Sequence, residues 1–386
     1  MITQFPLSGR AVTLMSVSSL SVLSGAAIAP ALPGIAAHFA NAPHAALLSR
    51  LVLTAPAIAI AILAPIIGIL IDRSGRRIPL LIAIMFYGVA GLAGLVLNDL
   101  TALLGSRIVL GFAVAGTMTI STTLIGDYYN HETRAGFFGL QTAVQGFAGL
   151  AFTLIAGMLA EISWRWAFVL YGIAWLILPA AFSFLAEPRG ERAASSDAIV
   201  EPAGFPWSLV LPLYMLACVN SILFYLVPTQ LPFLMNELGV ASPTMIGLVI
   251  GTTPVLMTIC SLNYNRIRRG LASDRIFAIS FAAMAVGNLL LALASHWALV
   301  ILGTAVIGIG MGFFLPNIVL TTMATSPEAR RGSVASGLTS ATFLGQFLSP
   351  LIFYPVFSRF DGATTFLLGG ACLAIIAVVM SKSSCR

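Results

Sequence analysis

Long apolar runs separated by short polar breaks repeat along almost the whole chain. They fall near residues 12–36, 47–71, 78–97, 102–126, 135–159, 165–186, 207–234, 244–264, 276–294, 298–322, 333–357 and 363–381. A helix of roughly 20 apolar residues, rising about 1.5 Å per residue, crosses a hydrocarbon core of about 30 Å. The pattern therefore predicts an all-α polytopic membrane protein with twelve transmembrane helices. A membrane β-barrel would instead show alternating segments of about ten residues. The one extended hydrophilic stretch, AEPRGERAASSDAIVEPAG, follows the sixth run and reads as a linker. It divides the chain into an N-terminal six-helix bundle (1–186), a cytoplasmic linker (187–206) and a C-terminal six-helix bundle (207–386).

Composition agrees. Of 386 residues, 59% are hydrophobic and 8% charged, with a mean hydropathy of +1.00. Soluble domains carry about a quarter charged residues, so a single water-soluble core is excluded. The net charge of +6 suggests nucleic acid until its distribution is followed. With the N-terminus inside, fifteen Lys and Arg residues lie on the cytoplasmic side and four (Arg50, Arg107, Arg165 and Arg359) on the other. That bias places both termini in the cytoplasm, and the expected location is a bacterial inner (plasma) membrane. No nucleic-acid partner is expected. The four cysteines show no metal-ligand spacing, so free thiols and no metal or cofactor are expected. The first apolar run, preceded only by Arg10, reads as a spanning helix rather than a cleaved signal.

The two halves echo each other. DRSGRR (72–77) has a worn counterpart in NRIRR (265–269), and the pattern E-x-R-x-G occurs at 132–136 and again at 328–332. Pro30 and Pro33 in the first run answer to Pro228 and Pro232 in the seventh. A shared offset of about half the chain indicates duplication of a six-helix unit.

GILIDRSGRR, between the second and third helices, closely resembles the signature loop of the major facilitator superfamily through Gly68, Asp72, Arg73, Gly75, Arg76 and Arg77. Arg107 with Gly111 and Gly116 resembles the family's fourth-helix pattern, and SWRWAF (163–168) the entry to its sixth helix. The resemblance implies two pseudo-symmetric six-helix bundles that rock around a central cavity. The layout is most similar to the twelve-helix drug:proton antiporters. That implies export of small organic solutes, drugs or metabolites, in exchange for protons, by a monomer in the bilayer. The fifth helix departs from the exporter pattern, with Phe152-Thr153 and Ala156-Gly157 where glycine pairs are usual. Uptake or facilitated diffusion of a small organic anion or neutral metabolite is the alternative.

Surface arginines explain themselves by anchoring a loop at the inner face, but Asp72 does not, since acids contribute little to orientation. An acid there is placed to meet the positive end of the eleventh helix near Gly332 and Ser333, or to pair with Arg134. The resemblance implies the same role, a latch between the halves formed by Gly68, Asp72, Arg73, Gly75, Arg76, Arg77 and Arg134. Polar residues at membrane depth are costly and informative. Gln141, Asn220, Tyr225 and Asn317 are the candidates for the substrate cavity. Arg107 has three placements open to it: facing the cavity, where it would attract an acidic or neutral polar substrate, snorkelling to the outer interface, or capping the carbonyls of a neighbouring helix.

None of the thirteen acids falls in the middle of a predicted helix, and the four histidines lie in or near loops. Proton coupling would thus rest on a helix-end acid such as Asp127, with Arg107 as a possible participant. A membrane hydrolase or acyltransferase would need a nucleophile with a buried His or acid in reach. The sequence offers none, so no enzyme is expected. Glycines in the third, fifth and tenth helices predict close helix contacts.

Overall fold

In the computed structural model, residues 8–187, 205, 207–327 and 330–383 are described, with their side chains apart from positions 68–74, 131, 132, 135 and 383. Twelve helices are long and apolar enough to cross a membrane among these residues. Spans 1 to 6 are Gly9–His38, Ala45–Ile67, Arg77–Leu95, Leu100–Tyr128, Gly136–Ile162 and Trp164–Phe184. Spans 7 to 12 are Trp207–Glu237, Pro243–Arg268, Ser273–Ala292, Trp297–Ala324, Arg331–Arg359 and Gly362–Lys382. With an even number of crossings, span 1 begins and span 12 ends on the same side. We call this the basic end, and the other the far end.

Local chemistry sets the boundaries. Ser8, Asp99, Asn130 and Ser242 accept hydrogen bonds from backbone N–H groups two or three residues on, capping the helices that follow. At Asp99 the bonds from Thr101 and Ala102 hold the carboxyl below the usual carboxylate range, so this cap persists at neutral pH and is lost on strong acidification. Gly75 ends the helix of span 2 with φ +82°, and Gly239 follows span 7 with φ +78°, a conformation most residues avoid.

Spans 1 and 7 are each broken. Span 1 is helical over Gly9–Ala26, passes through a tight turn at Ala29–Ala31 and resumes at Leu32–His38. Span 7 runs Trp207–Phe224 and then Leu226–Glu237. Prolines cannot donate to the preceding turn, and Pro30 lies at the first break. Ile28 N–H bonds to the Gly25 carbonyl, which leaves the Ser24 carbonyl to accept from the Tyr171 hydroxyl at 2.9 Å.

Spans 1–6 form one bundle and spans 7–12 the other. In the first, span 4 packs on spans 1, 2 and 3, and span 6 on spans 1, 3 and 5. In the second, span 9 lies between spans 10 and 12, and span 11 packs on span 7. The glycines do what their spacing predicts. A Cβ at Gly88, Gly91 or Gly94 would fall 2.1–2.3 Å from Trp175, Tyr171 or Phe168, so spans 3 and 6 lie face to face at a distance only glycine permits.

The bundles meet along two seams related by the duplication, span 2 against span 11 and span 5 against span 8. In the second seam a Cβ at Gly157 would fall 2.4 Å from the Pro243 carbonyl oxygen, and one at Gly146 1.8 Å from Thr258 Oγ1. One at Gly247 would lie 2.2 Å from the Thr153 carbonyl oxygen.

Candidate functional site

Gly139 lies eighteen residues before Gly157, five full turns at 3.6 residues per turn, and so on the same face of span 5. A Cβ at Gly139 would meet nothing within 4 Å. The face that grips span 8 at the far end is thus free toward the basic end. The seam of spans 5 and 8 is in contact at Gly157 and Gly146 and free at Gly139.

Two polar contacts reinforce the shut end. Glu161, near the end of span 5, accepts from Ser242 Oγ at 2.5 Å and from Thr244 N–H at 3.2 Å. A carboxylate from one bundle thereby sits at the N-terminus of a helix of the other. Arg50, from span 2, donates through Nε to Gln230 Oε1 at 2.7 Å and through Nη1 to its own Ala46 carbonyl at 2.7 Å. Its guanidinium lies 3.7 Å from the centre of the Phe233 ring, 4.7 Å from Phe357 and 5.2 Å from Tyr354. Only 2% of Arg50 is exposed. Neither contact follows from a motif. The signals were an arginine in the first turns of an apolar span and a glutamine in the far half of another.

At the basic end the signature loop is tied to its own bundle. Glu187 accepts from the backbone N–H groups of Arg76 and Arg77, both at 2.8 Å, capping span 3 from the far side of span 6. Arg76 pairs with Asp127 at 3.0 Å, Arg77 donates to the Phe182 carbonyl, and Arg134 to the carbonyls of Gly126 and Tyr129. The side chains of Gly68, Asp72 and Arg73 lie outside the described residues, so the expected meeting of Asp72 with span 11 does too. Sequence reasoning placed Glu187 in the linker. Its cap becomes visible only once span 6 returns beside span 3.

The expected cavity residues separate into two groups. Arg107 is wholly buried inside the N-terminal bundle. It donates to the carbonyls of Ala90 (2.6 Å) and Gly91 (3.0 Å) on span 3, over the rings of Phe168 and Tyr171 on span 6. Of its three placements the structure has the capping one: seven residues into span 4 fixes its depth, but the small residues of span 3 decide where it points. Arg107 Nη1 is buried without a hydrogen-bond partner. Asn317 is engaged inside the C-terminal bundle, accepting from Tyr264 (2.8 Å) and donating to the Ser273 carbonyl (2.9 Å).

The second group keeps unpartnered acceptor oxygens or faces the other bundle. Asn220 donates to Met311 Sδ at 3.3 Å, while its Oδ1 is buried without a partner. Gln141 is buried with Oε1 unpartnered, one turn from Gln145, which donates to the Ser18 carbonyl at 2.9 Å. The Tyr225 hydroxyl lies near Gly25, where the broken spans 1 and 7 approach. No cluster of His, Cys, Asp and Glu fit for a metal occurs among the described residues.

Twelve spans in two bundles, joined by two seams that close at one end, define a helical membrane transporter. The Major Facilitator Superfamily profile matches residues 14–239 and 213–382, and the chain belongs to that family. It is a transporter and not an enzyme. The chain is 23% identical over 330 residues to the quinolone resistance protein NorA of Staphylococcus aureus, covering 84% of each. It is 29% identical over 150 residues to the efflux pump dotC of Dothistroma septosporum, covering 39% of this chain and about a quarter (25%) of that one. Among solved structures, the nucleoside transporter NupG superposes with a TM-score of 0.76 at 13% identity, over 97% of this chain and 98% of NupG. The human organic anion transporter MFSD10 does so with 0.69 at 18% identity, over 98% and 100%. Both likenesses concern the fold.

Proposed function

We propose that the chain exports small organic solutes by alternating access, the two bundles rocking as units about the glycine seam of spans 5 and 8. The observation that carries this reading is the face of span 5, in contact at Gly157 and Gly146 and free at Gly139. The basic end is the cytoplasmic one by the positive-inside bias, so this is the inward-facing state. Similarity to NorA along most of both chains favours export.

The substrate of this reading is neutral. An unpaired charge in a low-dielectric cavity is expensive, and the sequence offers no acid at mid-span, while Arg107 is engaged by span 3. Gln141, Asn220 and Tyr225 would recognise it, the unpartnered amide oxygens accepting from its O–H or N–H groups. Proton exchange would run through Asp127 at the basic end, where the carboxylate competes for its proton with the pairing to Arg76 in the same bundle. The departures at Phe152-Thr153 and Ala156-Gly157 favour a second reading, uncoupled diffusion of the same neutral solutes.

A thermal-shift screen of the purified protein tests the substrate class. Neutral compounds rich in hydroxyl or amide groups should raise the melting temperature, and Asn220→Leu should abolish the effect. Equal stabilisation by tetraphenylphosphonium, unaffected by Asn220→Leu, overturns it. With a hit in hand, proteoliposomes carrying a pH-sensitive dye separate the two mechanisms. Proton flux lost in Asp127→Asn supports exchange, and solute flux without proton flux supports diffusion.

A further inference from the structure

The contact between Arg50 and the opposite bundle is a binding site with its ligand already attached. Ownership of the parts makes the case. Arg50 and the Ala46 carbonyl belong to span 2, whereas Gln230 and Phe233 belong to span 7 and Tyr354 and Phe357 to span 11. Spans 7 and 11 pack on each other within the C-terminal bundle. Phe233 and Phe357 hold an edge-to-face arrangement with centroids 6.1 Å apart, and Tyr354 lies one turn from Phe357 on the same helix. Three rings and one fully buried amide thus stay together whichever way the bundles rock. The guanidinium travels with the other bundle.

We propose that Gln230, Phe233, Tyr354 and Phe357 form a cage for a guanidinium group, with Arg50 as its built-in ligand in the inward-facing state. When the far end parts, the vacated cage takes small guanidinium compounds from the external solution. The chemistry fits the group closely. A ring face attracts a cation, a planar guanidinium stacks on rings while its edge donates to an amide oxygen, and an ammonium lacks that fork. An external guanidinium compound therefore competes with closure of the far end. The proposal rests on the alternating-access reading above.

Chemical rescue tests it. The full chain, with its native cysteines replaced, is spin-labelled at Asn41→Cys and Ala241→Cys, exposed far-end positions on opposite bundles. Label-to-label distances are then measured in lipid nanodiscs. The unmodified Arg50 protein should show mainly the short distance, with a longer one gaining population when an externally bound substrate is present. Arg50→Ala should invert the ratio by tenfold or more. Millimolar ethylguanidinium should return it toward the short distance, because with Arg50 gone a caged guanidinium can also donate to the Ala46 carbonyl of span 2, which only the closed far end brings within reach, and ethylammonium should not. Adding Phe233→Leu to Arg50→Ala should remove the rescue while the protein remains monodisperse. An Arg50→Ala distribution like that of the parent overturns the cage, as does an opened distribution that ethylguanidinium leaves unmoved. A parent protein with a single distance under all conditions overturns alternating access as well.

Discussion

Arg107 and Arg50 enter from packed neighbours, spans 4 and 2, and each lays its guanidinium over aromatic rings. Their partners differ in ownership. Arg107 bonds to carbonyls of span 3 and rests on rings of span 6, all inside one bundle. Arg50 reaches across to spans 7 and 11. A buried cation whose partners share its rigid body contributes to both transport states alike. One whose partners belong to the other body contributes to a single state. Burial and residue type are the same in the two cases, and only topology separates structural cement from a gate.

The largest effect that would sharpen this contrast lies at Arg107. Arg107→Ala removes two bonds to carbonyls and opens a cavity between spans 3, 4 and 6, at a cost on the order of 3 kcal/mol. Thermal unfolding should show the loss, while the ratio of short to long far-end distances stays at the parent value. Preserved stability with a shifted ratio would break the comparison.

A smaller effect is expected at the glycine seam. Gly247→Val places a side chain against the Thr153 carbonyl, whose backbone cannot yield cheaply. Overpacking of this kind costs about 1–3 kcal/mol, here borne by the closed far end alone. The distance distribution should move roughly 5- to 150-fold toward the open form, whereas Gly139→Ala should leave it unchanged. The smallest effect belongs to Glu161→Gln. An exposed carboxylate at a helix N-terminus is worth about 0.3–1 kcal/mol, so the shift should stay within about fivefold. A larger one would make Glu161, rather than Arg50, the principal fastening.

The spans were legible because a bilayer demands long uninterrupted apolar runs, and twelve such runs have one economical explanation. The duplication was legible because DRSGRR and NRIRR keep their positions at the basic ends of the helices of spans 2 and 8. Side-chain destinations were not. Position along a helix gives depth, as it did for Arg107 and Asn317, but azimuth depends on which neighbour presents a small residue or a free carbonyl. Gly91 and Ser273 decide those two cases, and each is remote in sequence. Arg50 was unreadable for a related reason: its ligands, Gln230, Phe233, Tyr354 and Phe357, are ordinary core residues until the bundles close upon it.

The breaks in spans 1 and 7 also set a clock. The upper pieces, Leu32–His38 and Leu226–Glu237, touch one another, and each hangs from its long partner by a discontinuous joint. Tilting the span 1 piece disturbs the burial of Leu32 and Ile35 and the contacts of Gly34 and His38 with Trp164, not the packing of six helices. Short segments move in nanoseconds to microseconds, and rotations of whole domains in microseconds to milliseconds. If the bundles rock as proposed, motion of these tips would be faster than the rocking itself, so the far-end entrance would be sampled more often than a transport cycle is completed.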